Sequence, residues 1–591
     1  MSVDRTIPTQ ANTNVATFKI LSNGEPIPET VGISLVTVSK CVNKIPTARL
    51  VLFDGDVTQE DFELSSGELF KPGNEIEIQM GYQSNEDIVF KGMIIKQGIE
   101  IITDQSSKLV LELKDPGVKM TVGRKNRYFE PDSLDSDIIE QILEDYADLD
   151  SEVEATEVTH QEMVQYFSTD WDFILSRAEV NGKLVFVDDG KVTVKAPTLE
   201  GDPILNLFYG HNVFEFEAGM DARDQYAATL GRSWNFITQE VTELEGNDPG
   251  LDTHGNLTAS ELADVVGLGE WELQHTGQLP DQELQAWTDA KLMRSRLAKI
   301  KGRVKIIGFS DIRPGDVIEL GGFGDRFNGQ AFVSAIFHEF SPNKKWYTHI
   351  QFGLDQQWFA HKYDDILEKP ASGLVPALRG VHQGIVTNIH EDPDGEGRIQ
   401  VRIPIIHPEE EGTWARITTL DAGLGDDDGP RGTFFNPEIG DEVVVGFFND
   451  DPRDPVILGM LHSSTKPSPY EVAEDNFEKG IVTRGQLKVT FNDDLKSITI
   501  ETPGENKIVL NDDETSILME DQNGNKVQMN GDGITIESAS DVNIKATGDM
   551  NLEGVNINAA ASAQFKAEGG SGVELSSSAQ AVIKGGIVQI N

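Results

Sequence analysis

Cysteine is almost missing. Cys41 is the single one in 591 residues, so no disulfide closes within the chain and no cysteine-based zinc site can form. Long apolar runs are missing too; none reaches the ~20 residues of a membrane-spanning helix. Residues 1–16 are polar, carry Asp4 and Arg5, and lack the apolar core of a secretory signal, so synthesis in the cytoplasm is expected. Positive charge is scarce. Against 99 Asp and Glu stand 49 Lys and Arg, a formal net charge of −50. Such a chain is repelled by phosphate backbones and anionic lipid heads, which argues against nucleic-acid partners and lasting membrane-surface binding. Stability must come from burial and association. The length corresponds to about three to five domains.

Large side chains thin out near the end. Residues 481–591 hold two aromatics, Phe491 and Phe565, one proline, Pro503, and no histidine. One globular core over that length needs more apolar bulk. Yet the stretch is regular: Ser497-Ile-Thr-Ile-Glu501, Ser516-Ile-Leu-Met-Glu520, Gly533-Ile-Thr-Ile-Glu537, Asp541-Val-Asn-Ile-Lys545 and Asp549-Met-Asn-Leu-Glu553 are short alternating strands closed by turn residues. From Ile534 the spacing is eight residues. Ile534, Val542 and Met550 form one series, and Ile536, Ile544 and Leu552 a second. After one slip Ile557, Phe565 and Val573 continue it, with Leu575 beside them. Period-two alternation puts these residues on one face, and a fixed short period argues for a solenoid. One strand per repeat leaves that face wet and the edges unpaired. Three chains round one axis remove both problems, so an intertwined trimeric β-helix is predicted, with these ten residues as its axial core. The alternative is a monomeric parallel β-helix, whose turns run nearer twenty residues.

Residues 380–465 read as a five-stranded, OB-like barrel. Its strands are sought at Gly384-Ile-Val-Thr-Asn-Ile389, Arg398-Ile-Gln-Val-Arg-Ile403, Thr413-Trp-Ala-Arg-Ile-Thr418, Asp441-Glu-Val-Val-Val-Gly-Phe-Phe448 and Val456-Ile-Leu-Gly-Met-Leu461. Further upstream, Lys71-Pro-Gly-Asn-Glu-Ile-Glu-Ile78 is matched by Arg313-Pro-Gly-Asp-Val-Ile-Glu-Leu320, and Phe90-Lys-Gly92 by Phe327-Asn-Gly329. Two related barrels in one chain are expected. Helices are expected after Asp132 or Ser133, at 170–180 and at 281–300, with a loop over 242–280. Trimerised, two barrels per chain would present six, so one object could meet a six-fold partner and taper to three-fold.

These features resemble the VgrG family, the fused hub-and-spike proteins of contractile injection systems. The family spans phage tails, type VI secretion tips and extracellular phage-tail-like particles. Val164-Gln-Tyr166, Asp170-Trp-Asp-Phe173, Arg177-Ala-Glu179 and Gly182 resemble its hub signature. Gly397-Arg-Ile-Gln-Val401, Trp414-Ala-Arg416, Pro437-Glu-Ile-Gly-Asp-Glu-Val443 and Asp450-Asp-Pro452 resemble its OB barrel, and the octad run and Ile583-Lys-Gly-Gly-Ile-Val-Gln-Ile-Asn591 its spike. The resemblance implies a mainly β fold with helical insertions. Residues 1–370 would form the hub with two related β-barrels, 371–465 an OB-fold barrel, 466–485 a linker, and 486–591 the triple-stranded β-helix spike. It implies a homotrimer at the tip of a tail tube, driven into a target envelope by sheath contraction, with transient membrane contact. Its partners would be a tail tube initiator, baseplate proteins, tape-measure or cargo effectors, and a PAAR-type cap docked on Ile587, Val588, Ile590 and Asn591 by β-addition. The particle would be released outside the cell or anchored at its envelope; a type VI tip or a phage tail remains open.

No enzyme and no cofactor are expected. The interval from Leu461 to Gly480 is too short for a catalytic domain, and the spike is expected to stop at Asn591 without an effector extension. His382, His390 and His407 lack metal-ligand spacing. Asp392, Asp394 and Glu396 read as a strand-joining turn rather than a calcium loop, and Gly321-Gly-Phe-Gly324 as a turn rather than a phosphate loop. The rival readings are a spike with cell-wall hydrolase activity in the N-terminal half and a glycan-binding fibre.

Overall fold

A computed structural model describes residues 15–102, 106–341 and 344–590. The chain forms two compact units. One runs to Arg379 and takes in Asn449–Pro452; the other comprises Gly380–Phe448 and Arg453–Asn591.

The first unit is built on a 13-stranded sheet. Its first half places Ile33–Cys41, Thr47–Phe53, Lys108–Lys114, Asn85–Glu100 and Glu75–Tyr82 side by side in that order. Its second half places Glu215–Met220, Ile300–Ile307, Lys344–Phe352, Gly329–Ser341 and Val317–Gly321 in the same order. Even the irregularities repeat. Ile94 faces Leu113 and, past a bulge, Lys96 faces Glu112; Val333 faces Phe352 and, past a bulge, Ala335 faces Gln351. The duplication expected from the two Pro-Gly motifs is thus a duplication of strand order and register. The two Phe-x-Gly motifs, however, are not equivalent. Ile78 pairs with Phe90 whereas Leu320 pairs with Gly329, so the second motif stands two residues out of register. The halves also share one sheet: Ala335–Phe340 zips antiparallel onto Val36–Cys41.

Alternation sorts each strand. Val36, Val38, Leu50, Leu52, Leu111 and Leu113 are buried in one core, and Val304, Ile306, Ile318, Val333 and Ile350 in a second. Helices Asp135–Leu143 and Asp170–Val180 close a third core around Ile138, Ile142, Trp171, Ile174 and Val185. The first begins at Asp135, after a two-residue strand, with the Asp137 carboxylate accepting the Leu134 amide. Residues 242–280 are not a plain loop. They continue a strand, Glu240–Glu245, and hold helix Ala259–Val266 and strand Glu270–His275. Both strands pair with Ala228–Asn235, against which helix Asp281–Ala298 packs.

In the second unit, His382–Asn388, Ile399–Arg402, Thr413–Ile417, Pro455–Met460 and Glu442–Phe447 form a closed barrel around Val386, Val401, Ala415, Val443 and Ile457. Gly384 is required there: a Cβ at that position would lie 2.6 Å from Val401 and 2.8 Å from Val445. A seven-stranded antiparallel meander follows, Glu478–Val482, Lys488–Asn492, Ser497–Glu501, Lys507–Asn511, Ser516–Glu520, Lys526–Asn530 and Gly533–Glu537. Its first strand falls within 466–485, which the sequence reading gave to a linker. Pairing over Glu478–Glu537 is within one chain, whereas the sequence pattern pointed to one strand per chain in each layer. Alternation fixes which face a side chain takes and leaves the pairing partner open. From 541 to 590 no strand pairs within the chain.

Candidate functional site

The meander carries two unbroken apolar columns on one face. Val489, Ile500, Ile508, Met519, Val527 and Ile536 face one another across successive strands, as do Phe491, Ile498, Leu510, Ile517, Met529 and Ile534. In a single chain this face is bare: Phe491, Ile500, Met519 and Ile536 are 42, 45, 46 and 61% exposed. The other face bears a column of alternating charge, Lys488, Glu501, Lys507, Glu520, Lys526 and Glu537. Its ion pairs lie at 3.8 Å (Lys488–Glu501), 3.2 Å (Lys507–Glu520) and 2.9 Å (Lys526–Glu537). The column pins the register, because a one-residue slip would turn lysines and glutamates into the apolar face.

The sequence-predicted axial residues divide at the end of this sheet. Ile534 and Ile536 are on its last strand. Val542, Ile544, Met550, Leu552, Ile557, Phe565, Val573 and Leu575 lie in the ladder-free stretch, and all are exposed. Ile587, Val588 and Ile590 are exposed as well; Asn591 lies outside the described residues.

Two clefts on the 13-stranded sheet repeat its duplication. One, of about 260 Å³, is lined by Thr37, Ser39, Arg49, Ile95 and Glu112. The other, of about 580 Å³, has Glu217, Gly219, Arg303, Ser334 and Gln351 at the equivalent register positions, together with Lys44 and Lys301. The smaller is walled by Phe337 of the neighbouring strand, and the larger has no such wall.

The polar clusters of this unit are knotted into the fold. Asp135 is fully buried and accepts Arg177 Nε at 2.6 Å, Arg177 Nη2 at 3.0 Å and Asn181 Nδ2 at 2.8 Å, with His160 Nε2 at 2.9 Å. Burial alone would raise its carboxyl; the hydrogen bonds and the Arg177 charge outweigh it and hold it well below the usual range. Asp170, also buried, accepts Lys125 Nζ at 2.5 Å, Tyr146 Oη at 2.6 Å and Gln165 Nε2 at 2.9 Å. Its carboxyl too is held low against burial by these donors. Glu179 pairs with Arg294 and accepts the Phe359 amide at 2.7 Å. The residues quoted for the hub signature thus hold helix Asp170–Val180 in place.

In the barrel, Asp392 accepts Arg398 Nη2 at 2.6 Å and the amides of Asp394, Glu396 and Arg398, so its carboxylate is spent on closing the turn. His407 Nδ1 accepts the amides of Glu409 and Glu410. Burial raises the Cys41 thiol. Among the described residues no group of three His, Cys, Asp or Glu could hold a metal ion, and no helix is long and apolar enough to cross a membrane.

Three family models match the chain. Residues 12–342 match the Alg8 N-terminal domain, 382–462 the type VI secretion system/phage-baseplate injector OB domain, and 497–570 the phage baseplate V C-terminal trimerisation domain. The chain belongs to the VgrG family of hub-spike proteins, with an N-terminal half of the Alg8 type. Among its curated relatives, the type VI secretion system spike protein VgrG1b of Pseudomonas aeruginosa is 21% identical over 400 residues, 60% of this chain and 50% of the relative. VgrG3 of Vibrio cholerae is 27% identical over 113 residues, 18% of this chain and 11% of the relative. The chain thus spans half or less of these relatives. Among solved structures, the 43 kDa tail protein of prophage MuSo2 from Shewanella oneidensis aligns with TM-score 0.43 at 10% identity, covering 57% of this chain and 98% of that one. The E. coli c3393 protein, a type VI secretion component, aligns with TM-score 0.39 at 11% identity, over 75% and 100% of the two chains.

Sequence reasoning found the faces of the spike but missed two hub edges, the outer side of residues 94–100 and that of Glu215–Met220. The signal that could have found them was the duplication itself, since equivalent strands need equivalent neighbours.

Proposed function

We propose that this protein is the non-enzymatic, homotrimeric hub and spike at the tip of a contractile injection machine. The observation that carries the reading is the bare apolar face of the meander, continued by a strand-patterned stretch with no partner in its own chain. Burying an isoleucine or phenylalanine side chain contributes about 1.5–3 kcal/mol, and twelve such positions per chain line this face. Three copies turned inward supply the missing cover and the missing ladder, which is the role the matched trimerisation domain is named for. The repeated half-sheets support the adapter role: three chains bring six equivalent units to a six-fold tail tube and its baseplate proteins, while the spike tapers to three-fold. The mechanism is mechanical, an inter-chain ladder round a dry core that transmits the thrust. A small PAAR-type cap would add to the exposed Ile587, Val588 and Ile590, and effectors would travel with the particle. Light scattering on the purified full chain tests the reading: a trimer is expected, and a stable monomer overturns it. Clearing of peptidoglycan in a zymogram would overturn the non-enzymatic part.

A further inference from the structure

The hub sheet contains one junction between its halves and the parts of a second. In the first, Ala335, Phe337, Glu339 and Phe340 of one strand face Cys41, Ser39, Thr37 and Val36 of another. The register equivalences place residues 96–101 where 335–340 stand in the other half. They likewise place Val36, Val38 and Ser39 opposite the same neighbours as Phe216, Ala218 and Gly219. No strand among the described residues pairs with the outer side of residues 94–100 or of Glu215–Met220. The consequence shows in burial. His338 and Phe340, paired with Val38 and Val36, are 0 and 6% exposed, whereas their equivalents Ile99 and Ile101 are 49 and 69% exposed. On the other edge, Val36 and Val38 are fully buried while Phe216 and Ala218 are only partly so. Phe337 lines the smaller hub cleft, whereas its register equivalent, Gly98, does not line the larger.

We infer that residues 96–101 of one copy add antiparallel to Glu215–Met220 of the next copy, in the register of the internal junction. Gly98 then faces Gly219, Ile99 faces Ala218 and Ile101 faces Phe216. Edge addition of this kind satisfies the backbone groups on both strands and covers both apolar rows in one step. It places Glu100 opposite Glu217, a like pair whose second member is already held by Arg303 Nε at 3.0 Å. The same junction, once inside each chain and once between chains, closes the hub sheet into a ring. The inference rests on the trimeric reading and adds to it the surface, the occupant and the register.

The test is a disulfide trap in the full-length protein. Cys41→Ser removes the native thiol, and Gly98→Cys with Gly219→Cys places one thiol on each edge. Both sites have room, with nothing closer than 4.0 Å to an added Cβ at Gly98 and nothing within 4 Å at Gly219. Mild oxidation is expected to convert most of the double variant into reducible species of two and three chains. Either cysteine alone, or Gly98→Cys with Glu215→Cys four residues away, should give almost none. A trimer by light scattering that forms no such species, or one that cross-links better at the displaced pair, overturns the edge junction and leaves the trimeric reading standing. A monomer overturns both.

Discussion

Asp135 shows what holds the hub at the level of single side chains. It stays ionised in a site without solvent because Arg177, Asn181 and His160 converge on it, and Arg177 continues to Glu283 at 2.8 Å. Asp135→Asn keeps the shape but turns an amide's own hydrogens toward donors and leaves a buried guanidinium with one carboxylate. The expected loss is about 3 kcal/mol, read as a lower urea midpoint of the hub transition; an unchanged midpoint would show the cluster to be dispensable. His338 is one source of the hub's pH dependence, beside His254 and His349, whose imidazoles are also lowered, chiefly by burial. Burial, helped by nearby Lys40 and Arg313, pushes its imidazole down to about 3, while Nδ1 stays 2.9 Å from Thr348 Oγ1. The unfolded chain binds that proton near pH 6.5 and the folded chain only near 3, so the stability is complete above about 6.5 and is lost as pH falls between the two. At pH 5 the loss is about 2 kcal/mol. Thermal melts at pH 7.5 and 5 should therefore separate for the native protein and draw together for His338→Gln. Asp135 acts in the same direction but only below about pH 4, where an ordinary Asp begins to protonate. Glu179, Asp115 and Asp316, their carboxyls raised by burial, act in the opposite sense, and all of these are common to the native protein and the variant, so the difference between the two isolates His338. In the sequence Asp170, Arg177 and Glu179 were legible as a signature. What they bind was not, because Lys125, Asp135, Glu283 and Arg294 are brought to them by tertiary contacts alone.

At the level of elements, alternation was the readable signal. Ser497-Ile-Thr-Ile-Glu501 declared a strand and its apolar side, and the barrel strands were placed within a residue or two. Alternation is silent on partners, which is why the meander's in-chain pairing and the shared hub sheet emerge only from the structure. Glu240–Glu245 and Glu270–His275 were passed over for a related reason: each is mostly exposed and acidic, and is held as a strand by Ala228–Asn235 between them. The helix at Ala259–Val266 was readable, since Thr258 and Glu261 form a reciprocal capping box. One strand of the spike separates the two faces experimentally. Ile500→Asp would bury three carboxylates on the axis of the trimer, and dissociation at micromolar concentration is expected by sedimentation velocity. Thr499→Asp, one residue along on the opposite face, should leave the trimer intact. Equal behaviour of the two variants would refute the inward orientation of the apolar columns.

For the whole molecule, the opposing quantities are apolar cover and like charge. Each chain carries −50, and a trimer brings three such chains together. Surface pairs such as Lys507–Glu520, at 38 and 36% side-chain exposure, hold the register of one chain's sheet and contribute little to association. The proposed contacts between copies are instead apolar, along the spike columns and at Ile99 and Ile101. Burial of that kind is nearly indifferent to modest salt, whereas repulsion among exposed carboxylates is not: the Debye length falls from about 30 Å at 0.01 M to roughly 6 Å near 0.3 M. Adding sodium chloride should therefore strengthen the assembly, with the trimer persisting to lower protein concentration at 0.3 M than at 0.01 M in dilution experiments followed by light scattering. An interface made chiefly of ion pairs would respond in the opposite sense. Weakening with salt would thus transfer the association from the bare apolar faces to charged pairs between chains.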